Sequence, residues 1–483
     1  MKKTDFKASF QNRSFRAGGF SMILTVLVLV IVVLLNMVMD KLPTDITQLD
    51  VTANQRYSLS QQTKSVVKSL KEPVTVYWIV NQGNEDSALE KILKDYDKLS
   101  AKLRVEKIDP YKNPGFISEY EEKGCTVNTI NSLIVESEKR FRYVDNVEDI
   151  YVENEHDELT FAAEGALTSA IDYCTSEKLP KLYILSGHGE KELPESYISQ
   201  LKLENIDTIR VDIAQLDAVP EEADCVLLCA PAEDIREREA DMLEAYLQGG
   251  GKMLLMTDYY YGLLYENSIS FASYANLEKL MASYGVSVVP GMVLEGNKDY
   301  YLWDEVFSLA PDLSQHPAAK PLIESKLKVQ MIGAHGLKIS DALPENLKVE
   351  TILSTSSNAY SKVFPTDSLL KAEGDPTGPF PLGVAITDSS TGATIIWYSA
   401  GSLADSTANV QVNGGNMDLL LNSLNWLCDP EESGLTIRDK GLDGGVLVIS
   451  SLRVAVLSVL LVGLIPAAYL TCGVLFWLRR RGK

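Results

Sequence analysis

The chain has 483 residues, 46% of them hydrophobic, and a formal net charge of −21. This length exceeds one ordinary domain, and the hydrophobic share is enough to build a sizeable core. A charge this negative argues against a nucleic-acid-binding surface.

Two long uncharged segments lie near the ends of the chain. Residues 20–39 contain no charged side chain. At about 1.5 Å per residue, they would cover the roughly 30 Å of a bilayer's hydrocarbon core. Residues 454–478 form the second segment, and Arg479, Arg480 and Arg481 follow it directly. We therefore predict two transmembrane helices. The alternative, two buried core helices, leaves the basic flanks unexplained.

The charges beside these segments predict an orientation in the membrane. The terminal tails, residues 1–19 and 479–483, are both basic, and the long middle region is acidic. Since positive charge is enriched on the cytoplasmic side, we predict that both tails are cytoplasmic and that the main region is extracytoplasmic. The expected localisation is the cytoplasmic membrane of a bacterial cell, with two passes.

Residues 40–150 are predicted to form a small β-α-β domain. The hydrophobic patterns and turn signals give these elements in order: a helix capped at Ser58 or Ser60, a strand at 74–80, a helix around 89–96, a strand at 103–109 and a hairpin of 132–136 with 140–144.

Residues 151–430 alternate between strand and helix patterns, which favours an α/β fold with a doubly wound parallel sheet. The predicted elements are a helix at 161–173, strand 182–185, helix 193–203, strands 207–211 and 224–230, helix 236–248 capped by Asp234, strand 252–258, helix 277–284, strands 286–289, 382–386 and 393–398, and helix 416–427. Residues 296–350 stay unassigned, and 431–453 link this domain to the second hydrophobic segment.

The loop Ser186-Gly187-His188-Gly189-Glu190 is the predicted site. It follows a short apolar strand, and the two glycines allow a tight turn with exposed N–H groups. Ligands of open α/β sheets bind beyond the carboxyl ends of strands. We therefore expect these residues to contact a ligand or to shape the loop.

Two further carboxylates are candidates for the same site. Glu164 has two interpretations. In the first it is a solvated or capping carboxylate, and in the second it is held toward the glycine turn. Asp258 either caps the turn after its strand or joins His188 and Glu190 at one edge of the sheet. The His188 ring is expected to bond a backbone carbonyl or Glu164, thereby fixing the loop.

Other chemistry is disfavoured by what the sequence lacks. Gly250-Gly251-Lys252 does not complete a nucleotide-binding Walker A motif, and the loop at Gly187 lacks the third glycine of a dinucleotide fingerprint. Ser186 has no surrounding nucleophile elbow. The six cysteines show neither zinc spacing nor a disulfide framework. We predict no catalytic residue, no cofactor and no metal.

Several motifs together resemble one known family. They are Asp50-Val-Thr, Tyr57-Ser-Leu-Ser60 with Thr63, Ile108-Asp-Pro110 with Asn113-Pro114, Leu185-Ser-Gly-His-Gly-Glu190, Tyr246-Leu-x-Gly-Gly250, and Asn416-Met-Asp418 with Asn422 and Asn425-Trp-Leu427. This ordered set resembles the GldG-type auxiliary proteins of ABC transporters, first associated with gliding motility.

The resemblance implies a function and partners. It implies an extracytoplasmic, amidotransferase-like (flavodoxin-like) domain in a non-enzymatic accessory subunit that acts with a separate permease and ATPase. The nucleophilic cysteine of amidotransferases has no counterpart at the Gly187 turn. Two alternatives remain open: a membrane-anchored hydrolase or amidotransferase-like enzyme using His188 with Glu164, Glu190 or Asp258, and a ligand-binding sensor.

Overall fold

The computed structural model describes residues 59–428 except 129, 154–158, 259, 262–269, 272–273 and 364–367, and also the single positions 26, 27, 30, 440, 441 and 471. Apart from those single positions, the predicted transmembrane segments, terminal tails and linker lie outside the described residues. Within the described part of the chain, no helix has the length and apolar character that crossing a bilayer requires.

The first unit is a four-stranded sheet with helices packed against it. Its elements are α1 (Gln61–Ser69), β1 (Val74–Ile79), α2 (Ser87–Leu99), β2 (Leu103–Ile108), α3 (Pro114–Glu122), β3 (Ser132–Glu136) and β4 (Phe141–Val144). The strand order is β2-β1-β3-β4. β1 runs parallel to β2 and antiparallel to β3, and β4 pairs antiparallel with β3. This is the predicted β-α-β unit followed by the predicted hairpin.

Local signals explain where these helices begin. The Ser60 side chain accepts a hydrogen bond from the Thr63 N–H and caps α1, and Asp86 caps α2 by accepting from Leu89 N–H at 2.8 Å. α3 was not predicted, although Pro114 stands at its first position, where proline is favoured.

A short connection and a long helix complete the first unit. The connection contains a π-helical turn (Asn146–Ile150), β5 (Tyr151–Glu153) and β6 (Leu159–Phe161), and β22 (Lys440–Gly441) pairs with β6. α4 (Ala163–Thr175) follows, and its buried Leu167 and Ile171 belong to the same core as Val76 and Leu93. Packing therefore groups α4 with the first unit, although the sequence pattern placed it in residues 151–430.

The second unit is built on an eight-stranded sheet. Its first elements are β7 (Lys181–Ser186), α5 (Glu195–Leu203), β8 (Asp207–Asp212), β9 (Cys225–Cys229), α6 (Glu237–Gln248), β10 (Lys252–Met256), β11 (Tyr260–Tyr261), β12 (Ser270–Phe271), α7 (Ala275–Ser283) and β13 (Val286–Leu294). Then come β14 (Ser308–Leu309), β15 (Asp312–Leu313), α8 (Lys320–Ser325), β16 (Met331–Ile332), β17 (His335–Ile339), β18 (Leu347–Ser354), β19 (Tyr360–Lys362), β20 (Pro381–Asp388), β21 (Thr394–Tyr398), α9 (Ser406–Gln411) and α10 (Gly415–Cys428).

The strand order gives the fold of the second unit. The sheet runs β15-β18-β20-β21-β10-β9-β7-β8, and β8, β7, β9, β10 and β21 are mutually parallel. When these five strands are numbered along the chain, their spatial order in the sheet is 2-1-3-4-5, which is the strand order of flavodoxin-like folds. Helices cover both faces: α5 and α10 share one buried cluster with the sheet, and α6 and α7 share another. All five residues of β9 are consequently buried.

The predicted parallel sheet is confirmed for five strands, and antiparallel strands extend it on one side. β20 pairs antiparallel with β21, and β18 and β15 continue the antiparallel pairing outward. β20 and β21 are joined by a short polar turn, and strands joined in this way must run antiparallel. The segment between β10 and β20 also forms a small antiparallel sheet of order β17-β13-β19.

Candidate functional site

The predicted loop lies at the carboxyl end of β7, next to the loop that follows β9. In the 2-1-3-4-5 order these two strands flank the point where the chain reverses its direction across the sheet, which is where ligands of such folds bind. The structure thus places the loop at the expected crevice.

Both glycines of the loop are required by its geometry. Gly187 has a φ of +128°, and a Cβ there would lie 2.7 Å from Oδ1 of Asp212. Gly189 has a φ of +69°, and its Cβ would lie 3.0 Å from the Cβ of Ala232. Only glycine adopts such conformations without strain, so the Gly-x-Gly spacing is needed for the turn itself.

The His188 ring is buried and bonded to a residue that sequence analysis missed. It is 6% exposed, and its Nε2 lies 2.7 Å from Oε2 of Glu239 on α6. The same carboxylate oxygen accepts from the Arg236 N–H at 2.7 Å. Glu239 therefore ties the loop to the first turn of α6. A glutamate three residues after the helix cap was the available signal.

Backbone hydrogen bonds hold the loop against its neighbour. The His188 carbonyl accepts from the N–H groups of Ala232 and Glu233 at 2.9 and 3.1 Å, and the Glu190 carboxylate accepts from the His188 N–H at 2.9 Å. The Ser186 hydroxyl donates to the Val211 carbonyl at 3.0 Å. That bond directs its proton away from the His188 ring, which does not favour a serine–histidine nucleophile pair.

Glu164 does not approach this loop. Its carboxylate accepts from the Ser60 N–H at 2.6 Å and from the Thr63 hydroxyl at 2.7 Å, at the beginning of α1. The reading of Glu164 as a carboxylate held toward the glycine turn, or as a partner of His188, is therefore wrong. The capping alternative describes its position, because α4 packs against α1 in the first unit.

Asp258 and Glu190 lie at the same edge of the sheet, near Cys229. Burial raises the pKa of the Cys229 thiol to about 12; nearby Lys191 opposes this shift, and the carboxylates of Asp258 and Glu190 add to it. Glu190 Oε1 is buried and makes no hydrogen bond to the described residues. Lys191 lies 3.3 Å from Asp405. This edge therefore carries charges of both signs.

The predicted helix cap Asp234 serves a different helix. Its carboxylate accepts from the N–H groups of Asn276 and Leu277, at the first turn of α7. α6 instead begins after Arg236, with the Glu239 contact described above. Sequence proximity suggested α6, whereas the packing of α7 against α6 brings the α7 terminus to Asp234.

The turn after β9 holds a strained alanine. Ala230 has a φ of +43° and is 1% exposed. A Cβ on neighbouring Gly401 would lie only 2.5 Å from the Ala230 methyl. Enzymes that carry a nucleophile on a strand-to-helix turn place it in such a strained conformation. Here that position offers only a methyl group, packed against backbone.

Among the described residues, the predicted site contains no metal cluster, and a sizeable cavity lies away from it. Within the described residues, no group of three or more histidine, cysteine or carboxylate side chains is arranged to hold a metal ion. A cavity of about 660 Å³ lies at the opposite end of β7, between the two units, and none of the predicted site residues lines it.

The second unit is therefore a flavodoxin-like α/β domain with a hydrogen-bonded loop at its switch point, in which the His188 side chain is buried. Residues 179–393 match the sequence model of a family described as an ABC-type uncharacterized transport system. Residues 53–144 match a second family, described as a domain of unknown function. The first match supports the ABC-transporter auxiliary family indicated by the motifs, and with it a role in an ABC-type transport system.

Comparisons with solved structures found distant likenesses. The mmIFT52 N-terminal domain is 14% identical with a TM-score of 0.37, over 52% of this chain and 99% of that one. A glutamine amidotransferase from Thermotoga maritima is 10% identical with a TM-score of 0.29, over 52% and 100%. PurLQS from Thermotoga maritima is 12% identical with a TM-score of 0.24, over 52% and 100%. TM-scores this low do not establish a common fold. No curated protein matches in sequence.

Proposed function

We propose that this protein is a non-catalytic, membrane-anchored accessory subunit of an ABC-type transport system, of the GldG type. In this proposal a separate permease forms the pathway and a separate ATPase supplies the energy. The observation that carries it is the match of residues 179–393 to the transport family. The GldG-type motifs extend beyond that match in both directions, from Asp50 to Leu427.

The geometry of the loop supports a structural role for it. The His188 ring and the Glu239 carboxylate are each about 5% exposed and form a hydrogen bond with each other. A general base must reach its substrate within hydrogen-bond distance, and a ring held in this way faces the protein. Ala230 supplies no nucleophile at the strained turn. Together these contacts favour a rigid docking domain over a hydrolase.

The membrane arrangement belongs to the same proposal. Residues 20–39 and 454–478 are the two anchors, both tails are cytoplasmic, and the acidic main region is extracytoplasmic. Support comes from the length and apolar character of the two segments and from the arginine and lysine residues that flank them. The anchors would pack beside the permease.

Purification of the tagged full chain in a mild detergent tests the partnership. We expect a multi-span permease and an ATPase to be recovered with it, under conditions that keep a control transporter intact. If the control stays intact and neither partner is recovered, the proposal fails. The same preparation, screened on glycan, peptide and ester substrates, tests for catalysis. An activity lost in His188→Ala but kept in His316→Ala would support the enzyme alternative.

The orientation is tested separately with reporter fusions. We expect an alkaline phosphatase fused after residue 428 to be active and one fused after residue 483 to be inactive. The opposite pattern would place the main region in the cytoplasm and would contradict the topology.

A further inference from the structure

A cavity of about 660 Å³ separates the first unit from the amino end of β7 and β8. β4 and α4 form one side of it, and the segment from the end of α5 to the beginning of β8 forms the other. This volume is typical of small-molecule sites, which occur preferentially at domain interfaces. The cavity is independent of the loop at His188 and of the proposed transport function.

Arg142 on β4 brings an incompletely compensated positive charge to this cavity. Its guanidinium donates to the Ser169 hydroxyl at 3.3 Å, to the side-chain oxygen of Asn205 and to the Lys202 carbonyl at 3.2 Å. These acceptors are all neutral. Burial lowers the pKa of Arg142, and the carboxylates of Asp149 and Asp172 are among the groups that oppose this shift. Arg142 is half-buried and forms no ion pair within the described ranges. A cation removed from water is normally paired with an anion, and these contacts leave that role open.

A second cation stands at the rim of the cavity. Lys202 is exposed, and it forms no ion pair with another residue in the described ranges. Two carboxylates, Asp149 and Asp207, also line the cavity. Lys181 also lines the cavity, although its ammonium is paired with Glu222 at 2.6 Å. The lining therefore carries three cations and two carboxylates, an excess of one positive charge, which suits an anion of low charge better than a polyanion.

The remaining walls are aromatic and aliphatic. The Arg140 and Arg142 guanidinium groups lie 5.2 and 5.0 Å from the centre of the Tyr173 ring, which lines the cavity. Leu203 and Ile206 contribute apolar surface opposite. A ligand with an apolar or aromatic body would bury that surface and be stabilised by doing so.

We propose that this interdomain cavity binds a small monoanion with an aromatic or apolar body, such as an arylalkyl carboxylate, whose charged group is held by Arg142 and Lys202. Both units contribute to the cavity, so a bound ligand also bridges them.

Cys125 allows a local test, because it is a free, partly exposed thiol that lines the cavity. Its thiolate attacks a methanethiosulfonate, forms a mixed disulfide and releases methanesulfinate. The rate is measured on the full chain by peptide mass spectrometry with an anionic reagent (sulfonatoethyl) and a cationic reagent (trimethylammonioethyl). The rate constant with the anionic reagent is divided by the rate constant with the cationic reagent. This ratio is then normalised by dividing it by the same ratio measured for the free thiol 2-mercaptoethanol. Cys428, partly exposed and outside the cavity, is the internal reference.

The proposal predicts a normalised ratio above one at Cys125 and higher than that at Cys428. Lys202→Glu is expected to lower the Cys125 ratio about threefold, since both residues line the same cavity and charges within about one screening length, roughly 10 Å at 0.1 M salt, still interact. Lys279→Glu, the same charge reversal at an exposed position on α7, is expected to leave it unchanged.

A competition experiment tests the ligand class. We expect 4-phenylbutyrate to slow the modification of Cys125 at a concentration at least fivefold lower than 4-phenylbutanol, which has the same body without the charge. Neither compound should affect Cys428. Equal protection by the two compounds, a normalised ratio at or below one, or a Lys202→Glu variant that behaves as the parent would each overturn the proposal. None of these outcomes depends on whether a permease co-purifies.

Discussion

Replacing His188 by alanine tests whether the loop is held by its buried contact with Glu239. The substitution removes a 2.7 Å hydrogen bond to a carboxylate and leaves that carboxylate buried, with the Arg236 N–H at 2.7 Å and the Arg236 guanidinium at 3.5 Å as its partners. Hydrogen bonds to charged groups contribute about 1.5–3 kcal/mol, and weakening the compensation of a buried charge adds to that cost. We therefore expect a local destabilisation of about 2–4 kcal/mol.

Amide hydrogen exchange measures this loss where it occurs. The N–H groups of Ala232 and Glu233 donate to the His188 carbonyl, and the Lys191 N–H donates to the Cys229 carbonyl. If the loop opens more easily by about 2–4 kcal/mol, these amides exchange roughly 30-fold to 1000-fold faster. Mass spectrometry of peptides covering 186–192 and 230–238 resolves such a change.

The control is the replacement of a different buried histidine. His316 is 7% exposed, against 6% for His188, and its ring packs against Trp426. His316→Ala should leave exchange in the loop unchanged. If His188→Ala also leaves it unchanged while the protein stays folded, the loop is held by its backbone alone and the reasoning is refuted. Equal acceleration in both variants would indicate a global effect instead.

Three further outcomes follow from single positions. Gly187→Ala is expected to lower the free energy of unfolding by about 1–3 kcal/mol, measured by urea titration, because its φ is positive and its Cβ would lie 2.7 Å from a carboxylate oxygen. Gly392→Ala, also at positive φ but facing open space, should lower it less. Burial lowers the pKa of His335 to about 3. The unfolded chain therefore binds a proton that the folded chain excludes, and the free energy of unfolding should fall by about 1.4 kcal/mol per pH unit as the pH drops below about 6.5; if urea titrations show the same slope in His335→Gln, this assignment fails. Glu164→Ala should destabilise the first unit by about 1–3 kcal/mol, since it leaves two donors at α1 without their acceptor, while hydrogen exchange in the loop at His188 stays unchanged.

Most elements of the fold could be predicted because they depend on local pattern. The spacing of Leu89, Ile92, Leu93 and Tyr96 gave a helix whose predicted face is the buried face. The apolar run at 224–230 gave a strand buried on both sides. α3 was missed because its apolar spacing is weak and only Pro114 marks its beginning.

The partners of the site residues could not be predicted in the same way. His188 and Glu239 are 51 residues apart, and Glu164 and Ser60 are 104 apart. No local sequence pattern distinguishes a carboxylate that caps the helix next to it in the chain from one that caps a distant helix. Asp234 shows the same limit, because α7 reaches it only through tertiary packing.

The sequence by itself determined the apolar and polar periods, the glycine turn at 187–189 and the placement of that turn at the end of a buried strand. These features follow from short-range sterics and from the burial of one face of each element. Only the tertiary structure decided which carboxylate meets His188, that α4 belongs to the first unit, and that a cavity with a partly uncompensated arginine separates the two units. Such contacts join residues far apart in the chain, and their energies depend on distances that local periodicity does not contain.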